Sequence, residues 1–177
     1  QQSVQLSAEP SRLEMTLGEV RALTVTATDA AGNAVDVAIR FAAPRRAVQV
    51  REGQVHALAT GSWAVVATAA VAPGADGSVP MITIPVVVGW PDVAHVEVRA
   101  AGPSLYVGTT LEIGAEAFHA DGTRRPDATV SWRVSDAAVA TIDDFGAVTA
   151  HAEGSVTVTA TIEGVSENVT YDVRPFP

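Results

Sequence analysis

Residues 154–162 read Gly-Ser-Val-Thr-Val-Thr-Ala-Thr-Ile, and this alternation restricts the chain more than any other feature. Val156, Val158, Ala160 and Ile162 share one side of an extended backbone, and Ser155, Thr157, Thr159 and Thr161 share the other. On a helix these residues would scatter around the axis. A strand sorts them into a dry face and a wet face. The same period recurs at Leu23 to Ala27, Leu111 to Ala117 and Val130 to Val134. Glycines punctuate these runs at short intervals, supplying the positive φ that tight turns demand. Short strands without an amphipathic helical segment predict an all-β antiparallel sandwich.

The pattern occurs twice. Met15-Thr16-Leu17-Gly18, Ile39-Arg40-Phe41, Gly53-Gln54-Val55 and Gly61-Ser62-Trp63-Ala64-Val65-Val66-Ala67 follow one another in the first half. Leu105-Tyr106-Val107-Gly108, Val130-Ser131-Trp132, Gly146-Ala147-Val148 and Gly154-Ser155-Val156-Thr157-Val158-Thr159-Ala160 follow in the same order in the second. A period of about ninety residues is domain-sized rather than solenoid-sized. The expected organisation is a module at 1–89, a short linker at 90–92 and a module at 93–177, with a longer glycine-rich hairpin loop at 71–79 in the first. Trp132 and Trp63 have inward parity. Phe41 stands where the second module has Trp132, so all three rings are expected in the cores.

Composition narrows the function. The formal net charge is −9, and all eleven basic residues are arginine. An acidic chain with scattered arginines lacks the basic stripe that a phosphate backbone needs, so no nucleic-acid partner is expected. No apolar run reaches the ~20 residues of a spanning helix. Cysteine is absent, which removes disulfides and thiolate–metal sites. The start at Gln1-Gln2-Ser3 reads either as a mature terminus left by signal cleavage or as the edge of a fragment.

The candidate chemistry is sparse. Asp143-Asp144 could offer oxygen ligands to calcium, but they lie in Asp143-Asp144-Phe145-Gly146 between two apolar strands, which has the composition of a hairpin turn. His151 has outward parity, and no pair among the four histidines has zinc-ligand spacing. There is no nucleophile elbow, P-loop or dinucleotide fingerprint. The expectation is a chain without catalytic residues or cofactor.

The second half also resembles a known family. Val107-Gly108, Val130-Ser131-Trp132, Ser135-Asp136, Val139-Ala140-Thr141-Ile142-Asp143, Gly146-Ala147-Val148-Thr149-Ala150 and Glu153-Gly154-Ser155-Val156-Thr157-Val158-Thr159-Ala160 are similar, in order, to the bacterial immunoglobulin-like domain of group 2. The first module is a degenerate copy, with Phe41 for the tryptophan and Pro44-Arg45-Arg46 where Ser-Asp would stand. The resemblance implies two tandem immunoglobulin-like antiparallel β-sandwiches in a bacterial, extracytoplasmic setting, periplasm or cell surface. Such modules hold, space or bind.

The modules differ on their outward faces. Ser155, Thr157, Thr159 and Thr161 face Ser62, Ala64, Val66 and Thr68 in the alignment, and the strand from Met81 to Val88 is apolar on both sides. Leu58, Ala64, Val66, Met81 and Val87, with the basic pair Arg45-Arg46, are the candidate partner-binding residues. Coverage of that patch by the second module or by the 71–79 loop is the alternative. Three functions are compatible: an accessory subunit docked on a larger periplasmic or membrane-associated assembly, a spacer or adhesive piece of a surface or phage structural protein, and a carbohydrate-binding module of a secreted enzyme. The last needs exposed aromatic platforms, and only 5% of residues are aromatic.

Overall fold

The computed structural model describes residues 4–74, 77–100 and 102–177. Ala75 and Asp76, within the expected 71–79 loop, lie outside the described residues. The chain divides into two compact units, Gln1–Pro91 and Asp92–Pro177.

Unit one contains β1 (Gln5–Glu9), β2 (Leu13–Thr16), β3 (Val20–Ala22), β4 (Thr24–Thr28), β5 (Ile39–Ala42), β6 (Val48–Arg51), β7 (Gln54–Ala57), β8 (Gly61–Ala69) and β9 (Met81–Gly89). Unit two contains β10 (Val93–Arg99), β11 (Ser104–Tyr106), β12 (Thr110–Glu112), β13 (Gly114–His119), β14 (Arg124–Arg125), β15 (Ser131–Val134), β16 (Ala140–Ile142), β17 (Ala147–Ala150), β18 (Gly154–Ile162) and β19 (Val165–Arg174). No helix of the described residues is long and apolar enough to cross a membrane.

Each unit sets a four-stranded sheet, ordered β2-β9-β8-β5 or β11-β19-β18-β15, against a layer made from smaller sheets. That second layer holds β1-β4 and β3-β7-β6 in unit one, and β10-β13-β14 and β12-β17-β16 in unit two. The sandwiches are not wholly antiparallel. β2 runs parallel to β9, and β11 runs parallel to β19. The first edge of each unit pairs with β4 or β13 on one layer, then crosses to pair with the last strand on the other. Alternation cannot reveal this, because it encodes which side a residue faces and not the direction of its neighbour.

The inward residues meet as their parity requires. In unit one Val65, Ala67, Ile84, Val86 and Val88 are buried with Leu13, Val48 and Val55. In unit two Val156, Val158 and Tyr171 are buried with Leu105, Ala140 and Val148. A second cluster holds Ala160 and Ile162 with Val93, Val96 and Ala117. Trp132 packs against both clusters of unit two. Trp63 faces inward as expected, and its indole N–H donates to the Ala59 carbonyl at 3.0 Å.

Phe41 departs from expectation. It lies opposite the buried Ala67, as Trp132 lies opposite Ala160, but it is 37% exposed. The reason is its place on an edge strand. β5 ends one sheet and β6 ends the other, and a groove of about 560 Å³ remains beside them.

Candidate functional site

The four-stranded sheet of unit one carries the first group of candidate residues. On β8, Val65, Ala67 and Ala69 are buried, so Ala64 and Val66 point out. On β9, Ile84, Val86 and Val88 are buried, so Met81, Thr83, Pro85 and Val87 point out. The register places Ser62 opposite Val87, Ala64 opposite Pro85, Val66 opposite Thr83 and Thr68 opposite Met81. Ala42 of β5 lies opposite Val66. The sheet therefore gathers Ala64, Val66, Met81 and Val87 on one outward face, to which Ala42 and Pro85 add apolar surface. Met81 is 62% exposed. Sequence reading missed Ala42, because its contribution depends on β5 lying beside β8.

The remaining candidates sit elsewhere. Leu58 follows β7 in the opposite layer, and its N–H donates to the Ala47 carbonyl at 2.8 Å. It is exposed beside the loop that carries Arg45 and Arg46, which are also exposed. The candidate residues thus form two groups: an apolar sheet face, and a basic loop with one leucine.

The paired acids are a turn. Asp143 Oδ1 accepts the N–H groups of Phe145 and Ala147, each at 2.9 Å, and Gly146 stands at φ +89°. Asp144 is exposed beside them. His151 points outward, its Nε2 lying 2.8 Å from the Thr141 hydroxyl. Among the described residues no group of three His, Asp or Glu side chains is placed to hold a metal ion.

Arg124 and Arg125 form a short strand paired with β13. Arg125 bonds Glu163 at 2.9 Å with a side chain 14% exposed, and Arg124 pairs with Glu116. Glu163 lies 38 residues from Arg125, in the turn between β18 and β19, so the sequence carries no local signal for that pair.

Residues 92–173 match the model of the bacterial Ig-like domain (group 2). The second unit is a domain of that family, and the match spans 82 of the 177 residues. Among solved structures, the chain is similar to the adhesin InvE of Yersinia pseudotuberculosis, with a TM-score of 0.54, 16% identity, and coverage of 98% of this chain and 60% of that one. It is also similar to the Escherichia coli adhesin FdeC, with a TM-score of 0.49, 17% identity, and coverage of 98% and 66%. A third likeness is to the S-layer protein SbsC, with a TM-score of 0.47, 19% identity, and coverage of 99% and 28%. This chain spans less than two thirds of each of those chains. At such identities the likeness is one of fold. No curated protein matches.

Proposed function

We propose that this chain is a non-catalytic structural and binding protein of the bacterial cell envelope. In this reading, module 1–89, joined through 90–92 to module 93–177, docks as an accessory subunit on a larger periplasmic or membrane-associated assembly and stabilises it. The observation that carries the reading is the outward face of β8 and β9. Ala64, Val66, Pro85, Val87 and Met81 occupy it beside Ser62, Thr68 and Thr83, whereas the equivalent face of unit two carries only serine, threonine, asparagine and aspartate in the paired positions from Ser155 to Thr161 and Ser166 to Asp172. A contiguous apolar face on a β-sandwich favours a protein partner, because covering it releases ordered water at little polar cost. Fold likeness to an adhesin supports a second reading, in which the chain is a spacer or adhesive piece of a longer surface protein.

The test is co-purification from the native envelope with the parent chain and with Val66→Glu/Met81→Glu. Both positions face outward, so the charges leave the core intact. The docked reading expects a defined set of partners with the parent and loss of that set with the variant. Recovery of the parent as a free protein would sink it. Retained cell-surface adhesion in the double variant, without any stable assembly, would favour the spacer.

A further inference from the structure

A different surface of unit one carries a separate inference. Arg40, Arg45, Arg46 and Arg51 fall within twelve residues that contain no acid. Among the described residues, none of their guanidinium groups makes an ion pair, whereas Arg12 and Arg21 of the same unit pair with Glu14 and Glu19. The groove between β5 and β6 lies in this segment. Phe41, Ala43, Val48 and Val50 line it together with Arg45 and Arg51. Gln49 holds the loop by donating its amide to the Arg45 carbonyl at 3.0 Å. An open aromatic ring beside unpaired guanidinium groups suits a ligand that is at once aromatic and anionic.

Unit two presents such a group. Phe145 is 91% exposed at the turn between β16 and β17, the highest value for a large hydrophobic residue among those described. Asp144 is exposed next to it, and Glu112, also exposed, belongs to the strand beside the turn, opposite Ala147. Asp143 spends one carboxylate oxygen holding the turn, so the tip is shaped before any contact. The equivalent turn of unit one, Arg51-Glu52-Gly53, has neither the ring nor the acid pair. The charges are unevenly divided as well. Residues 1–91 carry six arginines and seven acids, a net −1, and residues 92–177 carry five arginines and thirteen acids, a net −8. Opposed patches of this kind steer one chain onto another.

We infer that the β5–β6 groove of one chain receives the Asp144–Phe145 tip of a second copy. The contact joins unlike surfaces. It therefore closes as a reciprocal pair or propagates head to tail. A single ring and two or three charges make it a weak contact, strengthened where copies are held close together.

Sedimentation equilibrium of the full chain tests this. The average mass is expected to rise with concentration above the 18.2 kDa monomer at low salt and to fall back as salt screens the charges. Phe145→Ala is expected to lower the association constant about tenfold, and Asp144→Arg or Arg51→Glu alone by a similar factor. Asp144→Arg combined with Arg51→Glu in one chain restores association if the two residues meet, as in a mutant cycle. Unchanged thermal melts certify that these exposed substitutions leave the fold intact. A chain that remains monomeric at about 1 mM overturns the inference. So does association that survives Phe145→Ala, or a swapped variant that does not recover. A monomer whose groove instead retains an acidic aromatic peptide also overturns it, by giving the groove another occupant.

Discussion

β8–β9 and β18–β19 are the same hairpin in two units, and their outward residues differ in kind. In unit two the outward positions form a polar ladder. Thr157 and Thr170 are 3.1 Å apart, the Thr159 hydroxyl donates to Asn168 at 2.8 Å, and Thr161 and Ser166 are 2.7 Å apart. In unit one the facing pairs are Ser62 with Val87, Ala64 with Pro85, Val66 with Thr83 and Thr68 with Met81, each with at least one apolar member. The inward residues of both hairpins are mainly small and branched apolar groups, joined by the half-buried Trp63 in unit one and the buried Tyr171 in unit two. The difference teaches that the fold is held by the inward set. Exposed hydroxyl pairs contribute little net stability, because water competes for the same groups. The outward set is therefore free to be polar in one unit and apolar in the other, and that freedom is where binding can be placed.

The comparison can be broken first in the cores. Trp132→Ala removes the ring that joins two clusters, and is expected to cost about 3–5 kcal/mol. Phe41→Ala, at the matching position beside an open groove, is expected to cost about 1 kcal/mol. Urea unfolding of the two variants measures both. Equal losses would mean that Phe41 is packed as Trp132 is.

The next difference lies in the turns that precede β7 and β17. Gly53 and Gly146 both have positive φ, at +74° and +89°. A Cβ on Gly146 would come within 2.3 Å of the Ile113 carbonyl oxygen, whereas a Cβ on Gly53 meets nothing nearer than the Leu23 oxygen at 3.9 Å. Gly53→Ala therefore carries only the cost of left-handed backbone, about 1 kcal/mol. Gly146→Ala adds a clash with backbone and is expected to cost about 3 kcal/mol. Similar denaturation midpoints for the two variants would contradict that geometry.

The smallest effect concerns acid. Asp29 in unit one is held below its ordinary 3.8 by hydrogen bonds from Asn33, with Ala31 assisting. Asp121 in unit two is held down by the Thr123 hydroxyl and N–H. Both bonds favour the charged form. A folded pKa below the unfolded one gives stability that is complete above about pH 4 and is lost as pH falls through the folded value. Asp121→Asn is expected to flatten the acid limb for unit two and leave the Asp29 contribution in unit one. An unchanged slope of the urea midpoint between about pH 5 and pH 2 would remove Asp121 from the acid response.

Much of the fold is legible in the residues. Parity assigns Val156, Val158 and Ala160 inward and Thr157, Thr159 and Thr161 outward, because a strand can sort its side chains only two ways. The same rule places Trp63 inward and Ala64, Val66, Met81 and Val87 outward. It reads Asp143-Asp144-Phe145-Gly146 as a turn, because the acceptor and the glycine are both local to the turn they stabilise. Non-local facts stay hidden. Ala42 joins the apolar face only because β5 lies beside β8. Arg125 leaves solvent because Glu163, 38 residues away, comes to meet it.

The sequence by itself determined the all-β class, the two similar modules and the side each strand turns to its core. Those properties follow from alternation and turn chemistry, which act over a few residues. Tertiary structure alone decided the parallel pairing of β2 with β9, the open groove at Phe41 and the filled core at Trp132. Phe41 and Trp132 have the same parity and face equivalent alanines. Their exposures differ because the space around an edge strand is set by how the opposite sheet ends, and no local pattern encodes that.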